Sequence, residues 1–326
     1  MRFGPVPPEE AAGAVLAHSL TLGKLRLKKG HLLERSDIEA ICAAGLDEIT
    51  VARLDDGDVG EDAAAATLAE ALSAGGLRLS RAATGRVNLF AEGPGLARID
   101  AAKVAAANAV DPMITVATVP EWQRCARGTM VATVKIISYA VPGAALEAAC
   151  AAAADAIGFV APALGRARLI ETEVPGRRQS DKGAAAVRER VERLGLKLDL
   201  ADRVPHETGA LAEALTASDA ELVLILTGSA TSDARDVGPE AVRRAGGELI
   251  HFGMPVDPGN LLFLGRIGAT PVIGLPGCAR SPALNGADWV LERTACGVPV
   301  GPREIAAMGV GGLLKEIPTR PRPRDH

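Results

Sequence analysis

Aromatic side chains are nearly missing from this sequence: its 326 residues hold 5 Phe, 2 Trp and 1 Tyr. So few rings cannot build stacking platforms for single-stranded bases. A positive surplus is missing too. Lys and Arg number 36 against 40 Asp and Glu, a formal charge of −4, so no global basic field draws in nucleic-acid phosphates. The 5 cysteines, Cys42, Cys125, Cys150, Cys278 and Cys296, form no CxxC pair. That excludes a disulfide framework and a structural zinc site, and buried thiols in a reducing cytosol are expected. No apolar run reaches the roughly 20 residues of a membrane span. The best candidate, residues 146–163, is mostly Ala and carries Glu147 and Asp155. Residues 1–10 lack the basic start and apolar core of a signal peptide. The expectation is a cytoplasmic protein with neither a nucleic-acid nor a membrane partner.

What is present points to a folding chain. It is 48% hydrophobic and 23% charged, outside the disordered regime, and its length suits about two domains of ~100–200 residues each. Residues 1–142 mix short elements and are expected to form an α+β region. Ser36-Asp37-Ile38-Glu39 has the spacing of a capping box for a helix ending near Gly45. Strands are expected over 15–22, 48–54, 85–91, 96–99, 114–119 and 130–141, with helices over 61–74 and 101–110. Asp55-Asp56-Gly57-Asp58 reads as a solvated turn. His18, His31 and His251 stand alone, and Trp122 and Trp289 read as packing residues.

From residue 143 the rhythm changes. Helices over 144–156, 182–194, 207–218, 238–245 and 285–296 alternate with strands over 167–172, 197–203, 221–226, 248–252 and 271–274. This alternation predicts an α/β domain over 143–317, with a doubly wound, mostly parallel sheet. Residues 222–226 (LVLIL) are continuously apolar, as at the buried centre of such a sheet. Residues 318–326 (PTRPRPRDH) read as a flexible tail.

The central strand runs straight into Thr227-Gly228-Ser229-Ala230-Thr231-Ser232-Asp233-Ala234-Arg235-Asp236. Ligands of doubly wound sheets sit at the carboxyl ends of strands. Small residues let a ligand approach the backbone, and free N–H groups with short hydroxyls suit phosphate oxygens. Asp233 and Asp236 add carboxylates of the kind that hold Mg²⁺. An ordinary polar turn is the competing reading.

The residues that follow decide between them. Arg235-Asp236-Val237-Gly238-Pro239-Glu240-Ala241, then Asp257-Pro258-Gly259-Asn260, then Gly274-Leu275-Pro276-Gly277-Cys278-Ala279-Arg280-Ser281 occur in order. Together they resemble the molybdopterin-binding domain shared by molybdopterin adenylyltransferases, molybdenumtransferases and competence-damage-inducible relatives. The resemblance covers roughly residues 167–297. It implies a loop of Thr227, Gly228, Ser229, Thr231, Ser232 and Asp233 cradling the pterin phosphate or a nucleotide. It implies Asp236 near metal and phosphate, with Glu207 as a second acid. Pro258-Gly259 would close the site, and Pro276, Gly277 and Ser281 would form the turn beside the ligand. The loop Arg177-Arg178-Gln179-Ser180-Asp181-Lys182 lies over the same sheet edge, and reads equally as a ligand contact through Ser180 or as a solvated charged loop. Arg280 could pair with a phosphate.

The sequence also departs from the family pattern. Ser229 replaces the second loop glycine, and His206 stands where the first acid of a VPDD-like turn belongs. Cys278 and Ala279 replace the Asn-Pro of LPGNP. By resemblance the chain binds molybdopterin or its nucleotide-activated form in molybdenum cofactor biosynthesis. The enzyme reading is Mg²⁺-dependent nucleotidyl transfer from ATP or CTP, or molybdate insertion. The alternative is a non-catalytic carrier, chaperone or sensor. A third is a domain kept for oligomeric scaffolding. A homo-oligomer, and a molybdoenzyme or cofactor nucleotidyltransferase as partner, are expected by analogy.

Overall fold

The LVLIL run is buried along its whole length, as its composition requires. This computed structural model describes residues 1–176, 180–201 and 203–314. The chain divides into two compact units, 1–93 with 97–159 and 94–96 with 160–326. The helix Gly143–Ala153 therefore lies in the first unit, and the division follows Phe159 rather than residue 142.

In the second unit the sheet order is Lys197–Leu200, Arg166–Glu173, Leu222–Leu226, Thr270–Leu275, Phe263–Ile267, Glu248–Phe252. Its first four strands run parallel. Alternation along the central strand sorts the layers. Leu222, Leu224 and Leu226 face a core shared with helices Lys182–Glu192 and Gly286–Ala295. Val223 and Ile225 face helices Thr208–Thr216 and Val237–Arg244. This is the expected mixed α/β fold with a mostly parallel sheet.

Within this strand order, Phe263–Ile267 escaped the sequence reading. It forms an antiparallel hairpin with Thr270–Leu275, and Glu248–Phe252 pairs antiparallel beyond it. The hairpin is locked by close packing. A Cβ on Gly274 would lie 1.9 Å from the buried Phe263 ring, and one on Gly238 would lie 2.8 Å from it.

In the first unit, strands Ile114–Thr118, Met130–Ile136, Arg86–Ala91 and Leu77–Leu79 form an antiparallel sheet. Helices Glu61–Leu72, Ala101–Asn108 and Gly143–Ala153 share its core. A smaller core joins the sheet of Arg2–Val6, Ile49–Arg53 and Val15–Leu16 to the helix Arg35–Ala43. The expected strand over 130–141 breaks at residues 137–139, and Ala140–Pro142 pairs with Asp58–Gly60 instead. The cap of the first α-helix also shifts. Asp37 Oδ2 accepts the Glu34 N–H at 2.9 Å, so Ser36 lies inside the first turn. The 55–58 turn is tied to the chain start, since the Met1 amine pairs with Asp55 at 2.9 Å and Asp58 at 2.7 Å. That amine holds both carboxyls below the usual range.

Candidate functional site

After Arg166–Glu173 the chain adds Lys197–Leu200 on one side, then crosses to place Leu222–Leu226 on the other. Strand order reverses between Arg166–Glu173 and Leu222–Leu226, and such a switch point opens a crevice at the strands' carboxyl ends. Thr172 is the last residue but one of the first strand, and Thr227-Gly228 leaves the other.

The 227–228 peptide is held at both ends. Its N–H, from Gly228, donates to Thr172 Oγ1 at 2.8 Å. Its carbonyl, on Thr227, accepts from Arg280 Nη2 at 2.8 Å. Thr172 is fully buried, and its Oγ1 lies 2.8 Å from His206 Nδ1. Thr227 Oγ1 donates to the Ser229 carbonyl at 2.6 Å and lies 3.3 Å from Thr231 Oγ1. Asp236 caps the helix Val237–Arg244: Oδ1 accepts the Val237 N–H at 2.7 Å, and Oδ2 reaches back to the Ser232 N–H at 3.0 Å. Asp233 Oδ1 accepts the Arg235 N–H at 2.8 Å. Among the described residues, the N–H groups of Ser229, Ala230 and Thr231 donate to no protein acceptor. In a turn conformation, successive unpaired N–H groups are donors available to an anion.

Charge surrounds the crevice. Glu171 is 6% exposed. Its Oε2 accepts from Arg203 Nε at 3.3 Å, and its Oε1 lies 3.5 Å from Arg280 Nη1. Arg203 also donates to Asp181 at 2.6 Å, and that carboxylate raises the guanidinium pKa further. Gly183 lets the Arg280 side chain pass, since a Cβ there would lie 2.9 Å from Nη1.

Below the crevice, Arg190 is 2% exposed and fully engaged. It donates to Asp288 Oδ1 at 2.8 Å and to the carbonyls of Ala279 at 3.0 Å, Ser281 at 2.7 Å and Ala283 at 2.9 Å. Asp288 Oδ2 in turn accepts the Asn285 N–H at 2.9 Å. This buried pair fixes the 276–283 segment, and hence the base of Arg280.

Residues 167–293 match a family described as a probable molybdopterin binding domain. The second unit resembles the molybdopterin-binding domain family. Residues 5–53 match a family described as a domain of unknown function, DUF8806. Among solved structures, the molybdopterin biosynthesis MoeA protein from Pyrococcus horikosii is 14% identical, with 93% of this chain and 75% of that chain covered and a TM-score of 0.30. Molybdenum cofactor biosynthesis protein B is 19% identical, with 41% of this chain and 88% of that chain covered and a TM-score of 0.28. No curated protein matches the chain. The family match supports a role in molybdenum cofactor biosynthesis, with a pterin as small-molecule partner.

Within this molybdopterin-binding-like unit the residues singled out from sequence fall into three groups. Thr227, Gly228, Ser229, Thr231, Ser232, Asp233 and Asp236 share the loop at the switch point. Pro276, Gly277 and Ser281 form the next turn, joined to that loop through Arg280. The rest lie apart in their contacts. The Pro258 carbonyl accepts the Gly286 N–H at 2.8 Å, and Gly259 packs on Gly286 at the helix start. Ser180 is exposed, its Oγ accepting the Lys182 N–H at 3.2 Å. Glu207 is exposed at the start of Thr208–Thr216 and makes no side-chain cap. Arg177, Arg178 and Gln179, and the 318–326 tail, lie outside the described residues. Sequence reasoning passed over Glu171, Thr172, Arg190 and Arg203. The signal was present: Glu171-Thr172-Glu173 ends a strand that is otherwise apolar at its buried positions.

No group of three or more His, Cys, Asp or Glu side chains converges among the described residues. Both Asp236 oxygens accept backbone N–H groups, His206 is turned onto Thr172, and imidazole is a poor ligand for so hard a cation as Mg²⁺. Among the described residues no helix is long and apolar enough to cross a membrane.

Proposed function

We propose that the second unit binds molybdopterin, or its nucleotide-activated form, by the phosphate, as a non-catalytic carrier, chaperone or sensor in molybdenum cofactor biosynthesis. The observation that carries this reading is the run of unpaired N–H groups at Ser229, Ala230 and Thr231, beside a peptide fixed by Thr172 and Arg280. Fixed dipoles cost no reorganisation when the anion arrives. Thr227, Gly228, Ser232, Asp233 and Asp236 shape the loop; Pro276, Gly277 and Ser281 carry Arg280 to it. Mg²⁺-dependent transfer from ATP or CTP, or molybdate insertion, would need Asp236 and Glu207 to act together on a metal. In this structure Asp236 caps a helix through both oxygens, and Glu207 is exposed and makes no side-chain cap. A homo-oligomer, and delivery to a molybdoenzyme or cofactor nucleotidyltransferase, belong to the same proposal.

The experiment is incubation of the full chain with molybdopterin and Mg-ATP or Mg-CTP, following both binding and pyrophosphate. Binding without pyrophosphate supports the carrier. Pyrophosphate release that disappears in Asp236→Ala overturns it in favour of the enzyme.

A further inference from the structure

We infer that a hairpin in the first unit, Leu20–Leu22 with Leu25–Leu27, docks an extended acidic segment of a partner protein, which adds as a strand beside Leu25–Leu27. The sequence there, Lys24-Leu25-Arg26-Leu27-Lys28, alternates cation and leucine. Successive side chains of a strand point to opposite faces, and two residues advance it by about 7 Å. Leu20, Leu22 and Leu27 pack into the small core that includes Leu16, Leu33 and Val51. Arg26, opposite Thr21 in the register, therefore points away from that core. Lys24 in the turn before it and Lys28 after it extend the row, and all three cations are exposed.

The row carries unspent charge. Residues 11–33 contain no Asp or Glu, in a chain whose formal charge is −4. Among the described residues Lys24, Arg26 and Lys28 enter no ion pair. Other cations of the same unit are engaged: Arg2 with Asp55, Arg53 with Glu10, Lys135 with Glu61, and Lys29 over the Tyr139 ring at 5.6 Å. The backbone is unspent too. Leu25–Leu27 pairs with Leu20–Leu22 alone, so its second edge carries no ladder among the described residues.

Charge and spacing together name the occupant. An added strand sets its side chains about 5 Å from those of Leu25–Leu27, where opposite charges attract and like charges repel. Cations along an edge turn away a second copy of the same hairpin. They favour a strand with an acid at every second position. Main-chain hydrogen bonds then supply affinity, and the alternate acids supply register. A membrane surface fits less well, because Leu20, Leu22 and Leu27 are packed in the core rather than free to enter lipid. A single-stranded nucleic acid also fits less well, since residues 11–33 contain no Phe, Trp or Tyr on which a base could stack. The inference stands apart from the phosphate-binding reading, because every residue in it lies in the first unit.

The test is fluorescence anisotropy of a labelled heptapeptide of alternating Glu and Thr, titrated with the full chain. The peptide should bind, and Arg26→Glu should weaken it about tenfold, by losing an attraction and adding a repulsion. Arg127→Glu, at an exposed cation of the same unit outside the hairpin, should leave binding within about twofold. The same peptide N-methylated at every amide keeps its charge and has no N–H to donate, so it should bind about tenfold more weakly. Reversing Lys24, Arg26 and Lys28 together to Glu changes only exposed side chains and should switch the preference to a Lys–Thr heptapeptide. Equal binding of the N-methylated peptide, or equal losses in Arg26→Glu and Arg127→Glu, overturns the proposal. So does tighter binding of an oligothymidylate or of phosphatidylserine vesicles, or no peptide binding at about 100 μM protein.

Discussion

The Gly228 N–H donates to Thr172 Oγ1 at 2.8 Å, across the point where strand order reverses. A single hydroxyl on one strand thereby sets the direction of the first peptide after the next. His206 Nδ1, 2.8 Å from the same hydroxyl, fixes its rotamer.

Thr172→Val keeps the shape and removes the acceptor. The half-buried Gly228 N–H then loses this acceptor, which costs about 1 kcal/mol. Urea denaturation should show that loss, and inorganic phosphate affinity should fall with it. Thr172→Ser should retain both.

Arg190 and Asp288 form a pair that is 2% and 1% exposed. Arg190→Met leaves Asp288 paired with Arg193 alone, 2.6 Å away, and strips a donor from the Ala279, Ser281 and Ala283 carbonyls, so it should cost about 3 kcal/mol. Replacing Asp288 by Leu in the same chain should return much of that. Equilibrium unfolding of the two single variants and the double variant measures the coupling; additive losses would show that the pair does not act as a unit.

Gly274→Ala drives a methyl into the Phe263 ring, whose nearest carbon would lie 1.9 Å away. Overpacking of this kind costs about 1–3 kcal/mol. Phe263→Leu in the Gly274→Ala background should relieve it, raising the melting temperature above that of Gly274→Ala alone.

Burial pushes the Cys296 thiol up to about 11 from its ordinary 9.0. The folded form thus holds its proton where the unfolded chain would release it. The associated stability, of order 2 kcal/mol, is present below pH 9 and lost as pH rises from 9 towards 11. Unfolding midpoints measured across that interval should fall less steeply in Cys296→Ala than in the parent.

Much of the second unit was legible in sequence because its signals are local. LVLIL is short, apolar and flanked by polar residues, and the loop after it is small or acidic apart from Arg235. Asp236 announces a helix start, and the helix begins at Val237. The Phe263–Ile267 strand was not legible, because Gly265 interrupts its pattern and its pairing depends on Phe263 meeting Gly274. Glu171, Arg190 and Arg203 stayed hidden for a related reason. Each acts through residues distant in sequence, and a charged residue near a strand end or on a helix reads as surface until its partners are placed. Ser36 misled because Asp37, one residue on, fits the same cap from a different start.

The central claim is that the Ser229–Thr231 amides bind a phosphate without a metal ion. Its most direct test is calorimetric titration of the full chain with inorganic phosphate, in EDTA and again in Mg²⁺, for the parent and for Ala230→Pro, which deletes one of those N–H groups. The account predicts equal affinity in the two buffers, and about tenfold weaker binding in Ala230→Pro, the scale of one hydrogen bond to a charged ligand. Binding that appears only with Mg²⁺, or that Ala230→Pro leaves unchanged, would contradict it.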